Sequence, residues 1–186
     1  DSSKGYFDMM IRQTSRMRLI IEDLLTLSRI ESNSEPPTTS VINMSTLCSM
    51  LQNDAKALSN GKHKIHLNAD ETLNIKGSND ELLSAFTNLV TNAVRYTPKG
   101  GDVSIGWTLK NKQAVLNVKD SGIGIEAQHI VRLTERFYRV DNGRSRDTGG
   151  TGLGLAIVKH ILNRHKARLE IKSTIGEGST FSIVFP

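Results

Sequence analysis

Cys48 is the one cysteine among 186 residues, which excludes a disulfide framework and a cysteine-built metal site and fits a reducing compartment. Apolar runs long enough to span a bilayer are missing too. The uncharged stretch 36–53 is broken by prolines, Ser, Thr and Asn. The opening DSSKGYFDMM has neither a basic region nor an apolar core, so no secretory signal is expected. It also lacks an initiator Met, which suggests a piece of a longer protein. No GxxxxGK[ST] string occurs, which excludes a P-loop, and no internal repeat is found. The basic excess is modest, at +5. Its local concentration is Arg132, Arg136, Arg139, Arg144 and Arg146, interrupted by Glu135, Asp141 and Asp147. A nucleic-acid face usually lacks such interleaved acids, so no nucleic-acid partner is expected and a phosphate-facing lid fits better.

What is present suits one globular domain with an appendage. Residues from about Gly5 to Glu31 read as one helix, in which Phe7, Met10, Thr14, Met17, Ile21, Leu24 and Ser28 keep the spacing of a coiled-coil seam. Ile20, Leu27 and Ile30 widen that seam, so partner helices are expected. The Pro-containing linker after Glu31 should detach the helix from the remainder of the chain. Next come a short strand at Ser40 to Asn43 and a helix from Ser45, its N-cap, to Ser59. Strands follow at Lys64 to Asn68 and Leu73 to Lys76. A helix from a capping Asn79 to Tyr96 is ended by Thr97-Pro98. Val103 to Leu109 and Ala114 to Val118 alternate as a hairpin across Lys110-Asn111-Lys112. Ala127 to Glu135 reads as a short helix, Arg139 to Gly150 as a polar loop, and Leu153 to His165 as a helix. Leu169 to Ser173 and Thr180 to Phe185 close as a hairpin. The sum is an α/β two-layer sandwich, mostly antiparallel with helices on one face, preceded by a long coiled-coil-like helix. Residues 1–32, 33–40 and 41–186 are the expected helix, linker and domain.

Three strings carry chemistry. In NLVTNAVRYTP, Asn88 and Asn92 lie four apart and project from one helix face, with Arg95 and Tyr96 continuing toward its end. Amide oxygens are neutral hard ligands suited to a Mg²⁺ that keeps waters and shares a triphosphate. In DSGIGI, Asp120 ends a strand in a turn where Gly122 and Gly124 let the backbone approach a flat ligand, ahead of Ile125. In GGTGLGLAIV, Gly149, Gly150, Gly152 and Gly154, with Thr151 and Leu153, precede a helix whose early N–H groups can meet an anion. That spacing is GxGxG rather than GxGxxG and comes after a polar loop, against a dinucleotide fold.

In this order the strings resemble the N, G1 and G2 boxes of the histidine-kinase ATP-binding domain. Phe137, Tyr138 and Arg139 fill the place of the F box. The segment RLTERFYRVDNGRSRDTGGTGLGLAIVKH is especially similar to the phosphate-regulon sensor kinases. The resemblance implies an ATP and Mg²⁺ site: Asn88 and Asn92 at the metal, Asp120 on the adenine amino group, Arg95 and Tyr96 near phosphate and adenine. Arg139 would neutralise phosphate charge, with Arg144 or Arg146 assisting. It makes the first helix the second of a dimerisation and phosphotransfer hairpin, hence a homodimer in the parent protein. It further implies a response-regulator partner and a cytoplasmic domain of a bacterial inner-membrane protein, attached to the membrane only through segments upstream.

The five histidines, His63, His66, His129, His160 and His165, lack the context of the family's phosphoacceptor, so the acceptor is expected on a helix absent here. Zinc at His63 and His66 lacks further ligands, and a surface location is expected for them. The related gyrase, mismatch-repair and chaperone ATPases carry a Glu where this chain has Asn88. An amide cannot take a proton from water, so transfer to another side chain is favoured over hydrolysis.

Overall fold

The computed structural model describes residues 2–32, 35–140 and 150–186. Helix α1 spans Ser2–Ser32, and β1 (Ser40–Ile42) and α2 (Met44–Ser59) come after it. Asn43, not Ser45, caps α2: its Oδ1 accepts from Thr46 N at 2.9 Å, and Asn60 closes the other end with φ of 46°. Then come β2 (Lys64–Ala69), β3 (Ile75–Gly77) and α3 (Asn79–Tyr96). The geometric cap of α3 is Ser78, one residue before the expected Asn79, and its side chain makes no cap bond. Strands β4 (Asp102–Lys110) and β5 (Gln113–Asp120) form the expected hairpin. Asn111 and Lys112 turn it with φ of 51° and 65°, the paired left-handed residues that a tight two-residue hairpin needs. Helix α4 is only Ala127–Ile130, shorter than expected because turns carry the chain on to Arg139. Helix α5 (Gly154–Arg164), β6 (Arg168–Thr174) and β7 (Gly178–Val184) complete the order. The expected lid beyond Val140, with Arg144, Arg146 and Gly149, lies outside the described residues.

The main sheet has the order β2-β4-β5-β7-β6. Every pairing is antiparallel except β2 with β4, where α3 makes the crossover that parallel neighbours require. Strands β1 and β3 form a separate antiparallel pair. Val103, Ile105 and Trp107 alternate onto the helix side and are fully buried. Trp107 meets the Phe185 ring edge-on at 5.9 Å and donates from Nε1 to Leu73 O at 2.8 Å. Leu82, Ala85, Phe86 and Leu89 of α3 and Ile157, Val158 and Ile161 of α5 pack onto that face. The other face is polar, as where Ser182 Oγ donates to Asn117 Oδ1 at 2.7 Å. This one-sided helix layer is the expected sandwich.

Helix α1 departs from expectation. The seam residues Phe7, Met10, Met17, Ile21 and Leu24 are exposed, but Leu27 is 2% exposed and belongs to the domain core, with Ile30 packed against it. Leu27 and Ile30 do not widen the seam; they form a second stripe that docks on the domain. The helix is therefore not detached along this stripe.

Candidate functional site

Helix α3 places the first string. Its buried stripe of Leu82, Phe86, Leu89 and Ala93 faces the core, so Asn88, Asn92 and Arg95 emerge along a neighbouring face into a cavity of about 560 Å³. Asn88 donates from Nδ2 to Ser84 O at 3.0 Å, which leaves its Oδ1 against Gly154 at the start of α5. A side chain at Gly154 would overlap that oxygen, so the residue must be small. At the end of α3, Thr97 Oγ1 donates to Ala93 O at 2.6 Å. Gly150 sits beside Arg95 Nη1 and Tyr96 Oη, 3.5 and 3.7 Å from where its Cβ would be.

The second string leaves β5. Asp120 is 5% exposed, and its Oδ1 accepts from Gly122 N at 2.8 Å and Ser179 N at 3.3 Å. Burial lifts its carboxyl above the ordinary value, opposed by those two N–H groups. Gly124 has φ of 71°, and a Cβ there would collide with the Thr174 carbonyl. The loop is pinned to the β6–β7 turn by Gly176 N to Ile123 O at 2.9 Å and Ile125 N to Ser173 Oγ at 2.8 Å.

The third string interlocks with Phe137 to Arg139. Gly152, with φ of 76°, presses on the Phe137 backbone, and Phe137 N donates to Gly152 O at 2.8 Å. Tyr138 Oη pairs with His129 Nδ1 at 2.6 Å, and the Arg132 guanidinium stacks 4.2 Å from the Tyr138 ring centre. Sequence reasoning missed both partners of Tyr138. Thr151 Oγ1 accepts from Leu153 N at 3.1 Å and donates to Asp23 Oδ2 of α1 at 2.6 Å. Burial raises the Asp23 carboxyl, opposed by that hydroxyl and by the charge of Arg95. Asp23 and Leu19 line the cavity, and neither was expected there.

Of the expected residues, Asn88, Asn92, Arg95, Tyr96, Asp120, Gly124, Ile125, Tyr138, Arg139, Gly150, Thr151, Gly152 and Gly154 line this one cavity. Phe137, Gly122 and Leu153 do not. Phe137 points to solvent at 56% exposure, while Leu153 is wholly buried. Gly122 is packed beneath Tyr96 O and Asp120, and so shapes the turn rather than the wall. His63 is half-buried rather than on the open surface as expected: its ring bridges Ser59 Oγ and Thr97 O at 3.1 and 2.9 Å. His66 is exposed and pairs with Asp102 at 2.8 Å. Among the described residues no cluster of three His, Cys, Asp or Glu could hold a metal. Among the described residues an all-protein cage is therefore lacking, while two amides on one wall suit an ion that brings its own phosphate and water ligands.

A family profile described as histidine kinase-, DNA gyrase B- and HSP90-like ATPase matches residues 77–186, which include all three strings. The phosphate regulon sensor protein PhoR of Pseudomonas aeruginosa is 50% identical over 177 residues, 95% of this chain and 40% of that protein. The sensor-like histidine kinase SenX3 of Mycolicibacterium smegmatis is 36% identical over 187 residues, covering 100% of this chain and 49% of its own length. The chain thus spans less than half the length of these curated relatives. Among solved structures, full-length ShkA in complex with AMPPNP superposes with a TM-score of 0.82 at 20% identity, over 100% of this chain and 39% of that one.

Proposed function

This chain belongs to the family of histidine kinase-, DNA gyrase B- and HSP90-like ATPases, and we propose that it binds Mg-ATP and passes the γ-phosphoryl group to a histidine on a helix outside it. The residue that carries this reading is Asn88, an amide tied to Ser84 O where a hydrolase of the family would need a carboxylate. Asp23 and Asp120 are the carboxylates among the described lining residues. One is held by Thr151, the other by Gly122 and Ser179. Among the described residues no further carboxylate faces the cavity to take a proton from water, so positioning and charge neutralisation carry the reaction.

Asp120 Oδ2, the oxygen left over by those two N–H groups, accepts the adenine amino proton. Ile125 and Leu155 supply apolar wall, and Arg95 and Arg139 offset phosphate charge. Asn88 and Asn92 would hold Mg²⁺, which supplies electrostatic clamping of the phosphate oxygens when bound. The proposed division is helix 1–32, linker 33–40 and domain 41–186. The exposed seam of α1 would pair with helices of a hairpin and its dimer mate. The similarity to PhoR favours phosphate signalling, with an aspartate of a response regulator as final acceptor and a cytoplasmic position below a membrane anchor. Among the described residues, no helix is long and apolar enough to cross a membrane.

The test is transfer in trans. Incubated with γ-labelled ATP and Mg²⁺, the chain alone should remain unlabelled, while an added phosphotransfer domain should gain acid-labile, alkali-stable label. Steady phosphate release without such an acceptor would support a gyrase-type ATPase instead.

A further inference from the structure

Thr151 has one hydroxyl proton, and in this structure it goes to Asp23 Oδ2. Its oxygen already accepts from Leu153 N, so no second donor is available for an incoming anion. The same carboxylate is attracted by Arg95, a cation of the cavity wall. Asp23 thus takes what a nucleotide phosphate would need, the hydroxyl of the glycine loop, within the field of a wall arginine. It also places a like charge beside the space for the triphosphate. The docking that brings it there is secured elsewhere. Leu27 is buried in the domain core, and Glu31 pairs with Arg136 and with His160 at 3.1 Å, none of which lines the cavity.

We propose that Asp23 is a built-in phosphate surrogate, so that docking of α1 and binding of a nucleoside triphosphate are antagonistic. This rests on the cavity being the ATP site. Because coupling between two binding events is reciprocal, triphosphate must loosen α1, and loosening α1 must strengthen triphosphate binding. Adenosine, which has no phosphate, should be indifferent to both. Glu31 gives an independent handle, since it holds the helix without reaching the nucleotide.

Calorimetry on the whole chain with Mg-ATP and adenosine tests this, comparing wild type, Asp23→Ala and Glu31→Gln. Asp23→Ala should bind Mg-ATP about tenfold more tightly, within the usual span of allosteric coupling, and Glu31→Gln about threefold, the size of one partly exposed ion pair. Adenosine affinity should be equal in all three. Saturating Mg-ATP, but not adenosine, should raise amide exchange across residues 19–31 of the wild type. Unchanged or weaker Mg-ATP binding by Asp23→Ala overturns the proposal; the weaker case would make Asp23 a ligand of the metal–nucleotide complex. Tightening by Asp23→Ala without any by Glu31→Gln also overturns it, since that is local repulsion and not helix docking. If no variant binds either ligand, the ATP-site reading fails, and the proposal with it.

Discussion

His165, just past the end of α5, accepts a hydrogen bond at Nε2 from Ser78 N at 3.0 Å, and so caps the helix that carries Asn88 and Asn92. Its Nδ1 donates to Ile161 O at 2.8 Å, which fixes the tautomer that leaves Nε2 as the acceptor. Glu81 in the first turn of α3 holds Arg164 at 3.1 Å. The two helices that build the cavity are thus bolted together at the end away from it. His165→Ala should cost about 1–3 kcal/mol, the penalty of an orphaned N–H group, with Mg-ATP affinity reduced only through the fold. Urea unfolding and calorimetry would check it. Full stability in the variant would show the cap to be dispensable.

Asn92→Ala should weaken nucleotide binding in the presence of Mg²⁺ far more than in its absence, since a metal ligand is lost and the core is untouched. Calorimetry with and without Mg²⁺ decides. An equal loss in both, with thermal stability retained, would move Asn92 away from the metal.

Gly154→Ala should cost about 1–3 kcal/mol of stability by overpacking, because the new methyl meets Asn88 Oδ1. It should also displace that amide and depress Mg-ATP affinity. Gly176→Ala is the control: its Cβ meets nothing, and with φ of 80° it should lose only the roughly 1–2 kcal/mol of a left-handed L-residue. Wild-type affinity in Gly154→Ala would show that the Asn88 contact is dispensable.

Base choice should follow Asp120. Adenine offers an amino donor where guanine offers a carbonyl, and two facing acceptors leave a buried group unpaired at roughly 1–3 kcal/mol. ATP should therefore be preferred over GTP by about tenfold or more. Asp120→Asn should weaken ATP binding and narrow the gap, since an amide can donate to guanine. Equal affinity of the wild type for both nucleotides would reduce Asp120 to a turn residue.

The raised carboxyl of Asp120 also has a signature in the empty protein. Its folded value lies above the unfolded one, so the folded state holds the proton more tightly and stability falls as pH rises through that window. At pH 7 the destabilisation by the charged form is fully present, and it fades as pH drops toward the ordinary Asp value of about 3.9. Asp120→Asn should therefore stabilise the empty protein at pH 7, and by less at acid pH. Paired denaturation curves at both pH values would show it, and a gain independent of pH would contradict it.

Where sequence and structure agree, the signal was local. The alternation of Val103, Ile105 and Trp107 and the four-residue spacing of Asn88 and Asn92 express backbone periods that tertiary contacts did not override. The caps slipped by one or two residues because Asn43 precedes Ser45 and Ser78 precedes Asn79, and any of these side chains can begin a helix. His165 was illegible because its partner Ser78 is 87 residues away, and an imidazole leaves no period to read. The docked stripe of α1 reads in the sequence as part of the seam, although Asp23 and Glu31 on the same side as Leu27 mark a surface unlike a coiled-coil core.

Helix α1 runs 31 residues, about 46 Å at 1.5 Å per residue. It meets the domain between Leu19 and Glu31, while every described side chain from Tyr6 to Ser15 is exposed. It is a lever held at one end. Its outer arm, residues 2–18, is about 25 Å long, and the gripped span between Asp23 and Glu31 is about 12 Å. A tilt of about 10° carries the outer tip by about 4 Å. A push on the seam is therefore levered onto the short gripped span, where the hydrogen bond from Thr151 to Asp23 is the hold nearest the free arm.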